Sequence, residues 1–96
     1  MSGDIPDWPL MNAALEIAET DDGAIIEDSE GARVHYINST AAYILSQCDG
    51  QSDIVAIAQQ VQAEFALAEA PLALVNDILR QFAAEGVVAA GLGPRE

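Results

Sequence analysis

The sequence lacks lysine, and its basic side chains are three arginines, Arg33, Arg80 and Arg95, with His35 as the single histidine. Sixteen aspartates and glutamates oppose them, so the formal net charge of the 96-residue chain is −13 at pH 7. Binding to nucleic acid or to an anionic membrane surface requires clusters of basic residues. The composition disfavours both partners, and long-range attraction favours a neutral or basic one. The alternative is that the charge only keeps the protein soluble.

Cysteine is as scarce as histidine, with Cys48 as the single example. One cysteine forms no disulfide within the chain, and Cys48 with His35 cannot complete a four-ligand zinc site. Cys48 lies in an apolar helical pattern, which predicts a buried small side chain rather than a nucleophile. Nothing in the sequence orients His35 toward it, and no glycine-rich phosphate loop is present. We therefore expect no cofactor, no metal and no catalytic activity.

Long apolar runs are absent, since none approaches the roughly 18 residues of a membrane span. No cationic segment of the kind that opens a signal peptide is visible either. A cytoplasmic protein of one domain is the expectation that fits these absences and the chain length. Aromatic residues make up 5% of the chain and hydrophobic residues 51%, so aliphatic side chains must fill the core.

Residues 14–37 carry the pattern of three antiparallel strands, because apolar and polar residues alternate between two turns. The turns fall at residues 21–23 and 28–31, and each contains glycine. They are acidic, but the ordered set of five or six oxygen ligands of a calcium loop is missing. The third strand, over residues 33–37, is rich in β-branched and aromatic residues.

Three helices are predicted after the strands. Residues 38–40 offer an N-cap for the first helix, which ends at residues 49–50. Ser52 is the predicted N-cap of the second helix, and the third begins at residues 70–71 and ends at Gly86. The predicted fold class is α+β, a three-stranded antiparallel sheet followed by three helices.

The ordered domain is expected to span residues 14–89, closing with a short extended segment at residues 87–88. Residues 1–13 are typical of a flexible N-terminal arm, and residues 90–96 of a flexible C-terminal tail. Within the arm, Trp8 either docks on the domain or stays available to a partner.

The third strand lies at one end of the predicted meander. If the spatial order follows the chain order, one of its edges is unpaired and can accept an extended chain as a further strand. Arg33, His35 and Ile37 would then point to one face of the sheet, and Val34 and Tyr36 to the other.

The third helix is apolar over an unusually wide arc. Its predicted core residues are Leu72, Val75, Leu79 and Phe82. Leu74 and Ile78 form an adjacent apolar row, which is either buried on a second side or lines a groove. A free strand edge beside such a helix makes a groove for a peptide.

Two motifs stand in the middle of the chain, Ile37-Asn38-x-Thr40-Ala41-Ala42-x-Ile44-Leu45 and Cys48-Asp49-Gly50. With the strands before them and the helices after them, they resemble the PqqD-like family, whose pattern covers residues 14–89. The resemblance begins with a strand that ends in Ile37-Asn38 and a helix rich in threonine and alanine that ends before Asp49-Gly50. The later helices and the Gly86-Val87-Val88 step fit as well, with valines where leucines are commoner.

The resemblance implies a small winged helix-turn-helix module that does no chemistry itself. It implies that the module captures the leader segment of a ribosomally synthesised precursor peptide by strand addition. The module then presents the precursor to a modifying enzyme, which is a radical S-adenosylmethionine protein, a cyclase or a leader peptidase.

The resemblance also assigns residues to the peptide-binding site. The receiving strand would consist of Arg33, Val34, His35, Tyr36 and Ile37. The apolar wall would consist of Val75, Ile78, Leu79 and Phe82, with Leu74 and Arg80 at its rim. Two of the three arginines, Arg33 and Arg80, fall in this region of an otherwise acidic protein, and our hypothesis is that they meet acidic residues of the leader.

Two other functions stay open at this point. A structural subunit would stabilise a larger enzyme through the apolar helix face and would have no affinity for peptides. A winged-helix transcription factor is disfavoured, because residues 52–85 contain one basic residue, Arg80, against five acids. The free edge also permits strand exchange, so the expected state is a monomer or a strand-exchanged dimer.

Overall fold

The computed structural model of the protein describes residues 6–27 and 34–91. Within this part of the chain, a three-stranded antiparallel sheet and three helices confirm the predicted α+β class. A second sheet of two strands joins the beginning and the end of the described chain. The elements in chain order are β1 (Pro9–Met11), β2 (Glu16–Thr20), β3 (Gly23–Glu27), β4 (Val34–Asn38), α1 (Ser39–Ser46), α2 (Ile54–Glu64), α3 (Leu72–Ala84) and β5 (Val88–Ala90).

The larger sheet has the strand order β2-β3-β4, so the spatial order follows the chain order and β4 lies at an edge. Pairing with β3 sets His35 opposite Ile26, which is fully buried. Ile37 shares this inner face and packs against the core. Tyr36 lies on the opposite face and is 79% exposed. The alternation predicted for the third strand is therefore present: one face packs on the helices and the other faces water.

Gly23 begins β3 at the point where the turn over residues 21–23 returns the chain to the sheet. A Cβ atom at this position would collide with the carbonyl oxygen of Ile37 and with the backbone of Asn38. The close approach of β3 to the end of β4 therefore requires glycine. The other predicted turn, at residues 28–31, lies outside the described residues.

The N-terminal segment is a paired strand where the sequence predicts a flexible arm. Residues 9–11 form β1, which runs antiparallel to β5. On its other side, β1 accepts a hydrogen bond of 2.9 Å from the N–H of Gly50. The N–H of Gly91 donates to the carbonyl of Trp8 at 2.7 Å, so the first residues of the predicted tail are also held. Trp8 itself is half-buried.

Side chains cap the N-termini of α1 and α2. Oδ1 of Asn38 accepts a hydrogen bond of 2.8 Å from the N–H of Ala41, which confirms the predicted cap of α1. For α2 the prediction of Ser52 is wrong by one residue. Oδ1 of Asp53 accepts the capping bond, also 2.8 Å long, from the N–H of Ala56. An aspartate suits this position because its charge also complements the positive end of the helix dipole.

α3 follows Pro71 and ends at Gly86 as predicted. The N–H of Val87 donates to the carbonyl of Phe82 at 2.8 Å, and the N–H of Gly86 donates to that of Ala83 at 3.2 Å. These two bonds form a Schellman motif, which needs a left-handed residue. Gly86 meets that need with a φ of +76°, and the turn leads the chain into β5.

The core lies where the inner face of the larger sheet meets the helices. Leu72 was predicted to face it but is 47% exposed, since it is the first residue of α3. None of the described helices is long and apolar enough to span a membrane. The buried core residues are Ile26, Ala41, Ile44, Leu45, Cys48, Ile57, Ala58, Val61, Val75, Leu79, Phe82, Val87 and Val88.

Candidate functional site

A groove of about 430 Å³ lies between β4 and α3. All five residues of β4 line it, whichever face of the sheet their side chains occupy, so the groove runs along the edge of the strand. The lining residues are Val34, His35, Tyr36, Ile37, Asn38, Ala41, Ile78, Gln81, Phe82 and Glu85.

One edge of β4 runs along this groove. Among the described residues, β4 is paired with β3 alone. The backbone N–H and C=O groups of alternate residues in an antiparallel strand point to opposite sides, so about half of those in β4 point away from β3. They form a row of unpaired donors and acceptors, which is the type of edge that binds an added strand.

The opposite wall of the groove comes from one face of α3. Ile78 and Phe82 are four residues apart and therefore lie one above the other on this face. Ile78 is partly buried, and Phe82 reaches from the groove into the core. Val75 and Leu79 are fully buried. These two support the wall from behind and do not line it.

The remaining predicted residues of the site lie apart from the lining. Leu74 is four residues before Ile78, so it continues the same helix face beyond the groove, and it is 45% exposed. Arg80 lies about 200° around the helix from Ile78, at about 100° per residue. Arg80 is therefore exposed on a different side of α3 and is not among the residues that line the groove. Arg33 lies outside the described residues.

Gln81 of α3 and Glu85, the C-cap residue of α3, also line the groove, although the sequence patterns do not predict them there. Gln81 and Glu85 follow Ile78 by three and seven residues, a spacing that marks one helix face. This spacing was the available signal, but a search for apolar stripes passes over polar residues. The carboxylate of Glu85 lies 3.6 Å from Nδ1 of His35 across the groove. Their side chains are 33% and 24% exposed, respectively.

Cys48 is not placed to act as a nucleophile. Its thiol is buried, and Sγ donates a hydrogen bond of 3.3 Å to the carbonyl of Ile44. Burial, and to a smaller degree the negative charge of Asp49, raise the pKa of Cys48 to about 12. Because the thiolate is the reactive form, this cysteine serves as a small core residue, as its apolar pattern predicts.

Within residues 6–27 and 34–91, no group of three or more His, Cys, Asp and Glu side chains is positioned to hold a metal ion. Besides backbone groups and apolar side chains, the groove offers the carboxylate of Glu85, the imidazole of His35 and the amide of Gln81.

The sequence model of the family described as "Coenzyme PQQ synthesis protein D (PqqD)" matches residues 23–88. This segment contains β3, β4, the three helices and the first residue of β5, so it includes both walls of the groove. No curated protein and no solved structure matches the chain.

Proposed function

The chain belongs to the PqqD family, and we propose that it captures the leader segment of a ribosomally synthesised precursor peptide by strand addition to β4. Membership of the family implies a general role, that of a peptide-binding accessory protein in the biosynthesis of cofactors or modified peptides. Members of the family are themselves non-catalytic. Leader capture by this particular chain is the step that the proposal adds.

The observation that carries the proposal is that one edge of β4, which no other described strand pairs with, lies beside the apolar face of α3. An added strand would gain backbone hydrogen bonds from the edge, and its inward side chains would contact Ile78 and Phe82. Both walls are held by the rest of the fold, because Val75 and Leu79 of α3 are fully buried and β4 is paired with β3.

The enzyme that receives the captured peptide would bind the same complex from outside the groove. By the family resemblance, it would be a radical S-adenosylmethionine protein, a cyclase or a leader peptidase. Holding the leader in one register would bring the remainder of the precursor to the enzyme at a high effective concentration. The protein would act in the cytoplasm, where the precursor is synthesised.

The test is a titration of the isotopically labelled chain with leader peptides of short precursors encoded beside its gene. We expect amide shifts to cluster in residues 34–38 and 78–85. Ile78→Glu should weaken binding at least tenfold, because it places a charge on the apolar wall. Val55→Glu is the matched control, since Val55 is 52% exposed on α2 and does not line the groove.

Shifts confined to residues 16–27, or equal affinities for the two variants, would contradict leader capture in this groove. Tight binding to the enzyme without any affinity for peptides would support the structural-subunit alternative instead. Sedimentation should accompany the titration, because a second copy of the chain could occupy the same strand edge in a strand-exchanged dimer.

A further inference from the structure

The groove between β4 and α3 carries its fixed charge at one end. Among the described residues that line it, Glu85 supplies the only carboxylate, and there is no arginine. The 3.6 Å between this carboxylate and Nδ1 of His35 exceeds the roughly 2.8 Å of a charge-assisted hydrogen bond. His35 is therefore a neighbour of the carboxylate rather than a close hydrogen-bond partner, and the carboxylate, 33% exposed, is still open to solvent.

An added strand would displace that water. It would lie about 4.8 Å from β4, and its inward side chains would cover Glu85. A covered carboxylate without a partner disfavours binding, whereas a lysine or arginine replaces the lost water with a charge-assisted hydrogen bond. An acidic side chain would place two like charges in the same poorly hydrated groove. The net charge of −13 acts in the same direction over longer distances.

The spacing of residues along α3 indicates which position of the bound strand should carry an apolar side chain. Side chains two residues apart on a strand share a face and are separated by about 6.8 Å. Along α3, Phe82 precedes Glu85 by about 4.5 Å and Ile78 precedes it by about 10.5 Å, at 1.5 Å per residue. A side chain two residues from one that contacts Glu85 would thus lie between Phe82 and Ile78.

We propose that this groove selects a leader segment that is both basic and apolar. This specificity presupposes that the groove captures a leader, as proposed above. The bound strand carries a lysine or arginine beside Glu85 and a large apolar side chain two residues away, against Ile78 and Phe82. This specificity is opposite to the acidic leader expected from Arg80 and from Arg33, which lies outside the described residues. Arg80 does not line the groove, and Glu85 does.

Selection of random peptides displayed on phage, with the full chain immobilised, tests this specificity without knowledge of the natural precursor. We expect binders to be enriched in lysine or arginine two residues from a large apolar residue. Glu85→Gln should abolish the basic preference and keep the apolar one. Glu69→Gln is the matched control, because it removes the same charge from an exposed residue outside the groove.

The test is completed by measuring the affinity of one selected peptide for the unaltered chain and for Glu85→Gln. Replacing its basic residue by glutamine should weaken binding to the unaltered chain about tenfold, which equals about 1.4 kcal/mol, and binding to Glu85→Gln less than twofold. Equal losses on both chains, or binders without a basic residue, would overturn the basic specificity while leaving leader capture standing. Failure to select any peptide that shifts the amides of β4 would instead contradict leader capture itself.

Discussion

Asn38 and Asp53 determine where α1 and α2 begin, and both do so with one side-chain oxygen. Asn38 is also the last residue of β4, so the candidate peptide-binding strand passes into α1 without a linker. Asp53 performs the capping role that the sequence pattern assigned to Ser52. The two residues are adjacent, and both belong to the types favoured at N-caps. Propensity alone could not choose between them, because the choice depends on which side chain reaches the N–H of Ala56.

This geometry predicts unequal effects of two neighbouring alanine substitutions. Asp53→Ala should lower the free energy of unfolding by about 1 kcal/mol, because it removes the capping hydrogen bond and a favourable charge at the helix N-terminus. Ser52→Ala, the matched control, should change it by less than about 0.5 kcal/mol. The midpoints of urea denaturation of the two variants measure the difference. If Ser52→Ala lowered the free energy of unfolding more than Asp53→Ala does, Ser52 rather than Asp53 would be the N-cap of α2.

At the scale of elements, local patterns predict the larger sheet and the helices well. Alternation marks β4, and the glycine and proline signals mark the ends of α3. The pairing of β1 with β5 could not be predicted in this way, because it joins Pro9 to Ala90 across nearly the whole chain. Neither segment has an apolar period of its own, and the partners of β1, which are β5 and residues 48–50, lie far from it in the chain.

In the candidate groove, too, some features follow from the local sequence pattern and others depend on tertiary packing. The second apolar row of α3 predicts Ile78 beside a groove, and the family resemblance adds Phe82 to the groove wall; both residues line the groove in the structure. Val75 and Leu79 lie on the adjacent face of the same helix, which packs on the core. The rotation of α3 about its own axis decides which apolar row packs on the core and which row lines the groove. The periodicity of the sequence does not determine this rotation.

The position of Arg80 leads to a prediction about α3. Arg80→Gln should change the affinity for a groove-binding leader peptide less than twofold, because the side chain is exposed on a different side of the helix from Ile78. At physiological ionic strength, the Debye length of about 8 Å screens most of its remaining effect. Fluorescence anisotropy with a labelled leader measures this. A tenfold loss would show that the bound peptide continues around α3 beyond the groove.

At the scale of the whole molecule, the excess of acidic residues determines how the fold responds to its solvent. In the described part of the chain, His35 and Glu85 are the one acid–base contact within 4 Å that the structure places. Sixteen acids in a protein with a radius of gyration of 12.8 Å repel one another at low ionic strength. With so few attractive pairs to weaken, added salt acts mainly on the repulsion.

The fold should therefore become more stable as salt is added at neutral pH. Raising NaCl from about 10 mM to about 150 mM shortens the Debye length from about 30 Å to about 8 Å. A relief of about 1 kcal/mol would raise the melting temperature by about 4–8 °C, which calorimetry or circular dichroism measures. Near the isoelectric point of about 4.1, the same addition should have little stabilising effect because the net charge is small. An unchanged or lower melting temperature at neutral pH would mean that attractive pairs, rather than the surplus of carboxylates, dominate the electrostatics of this fold.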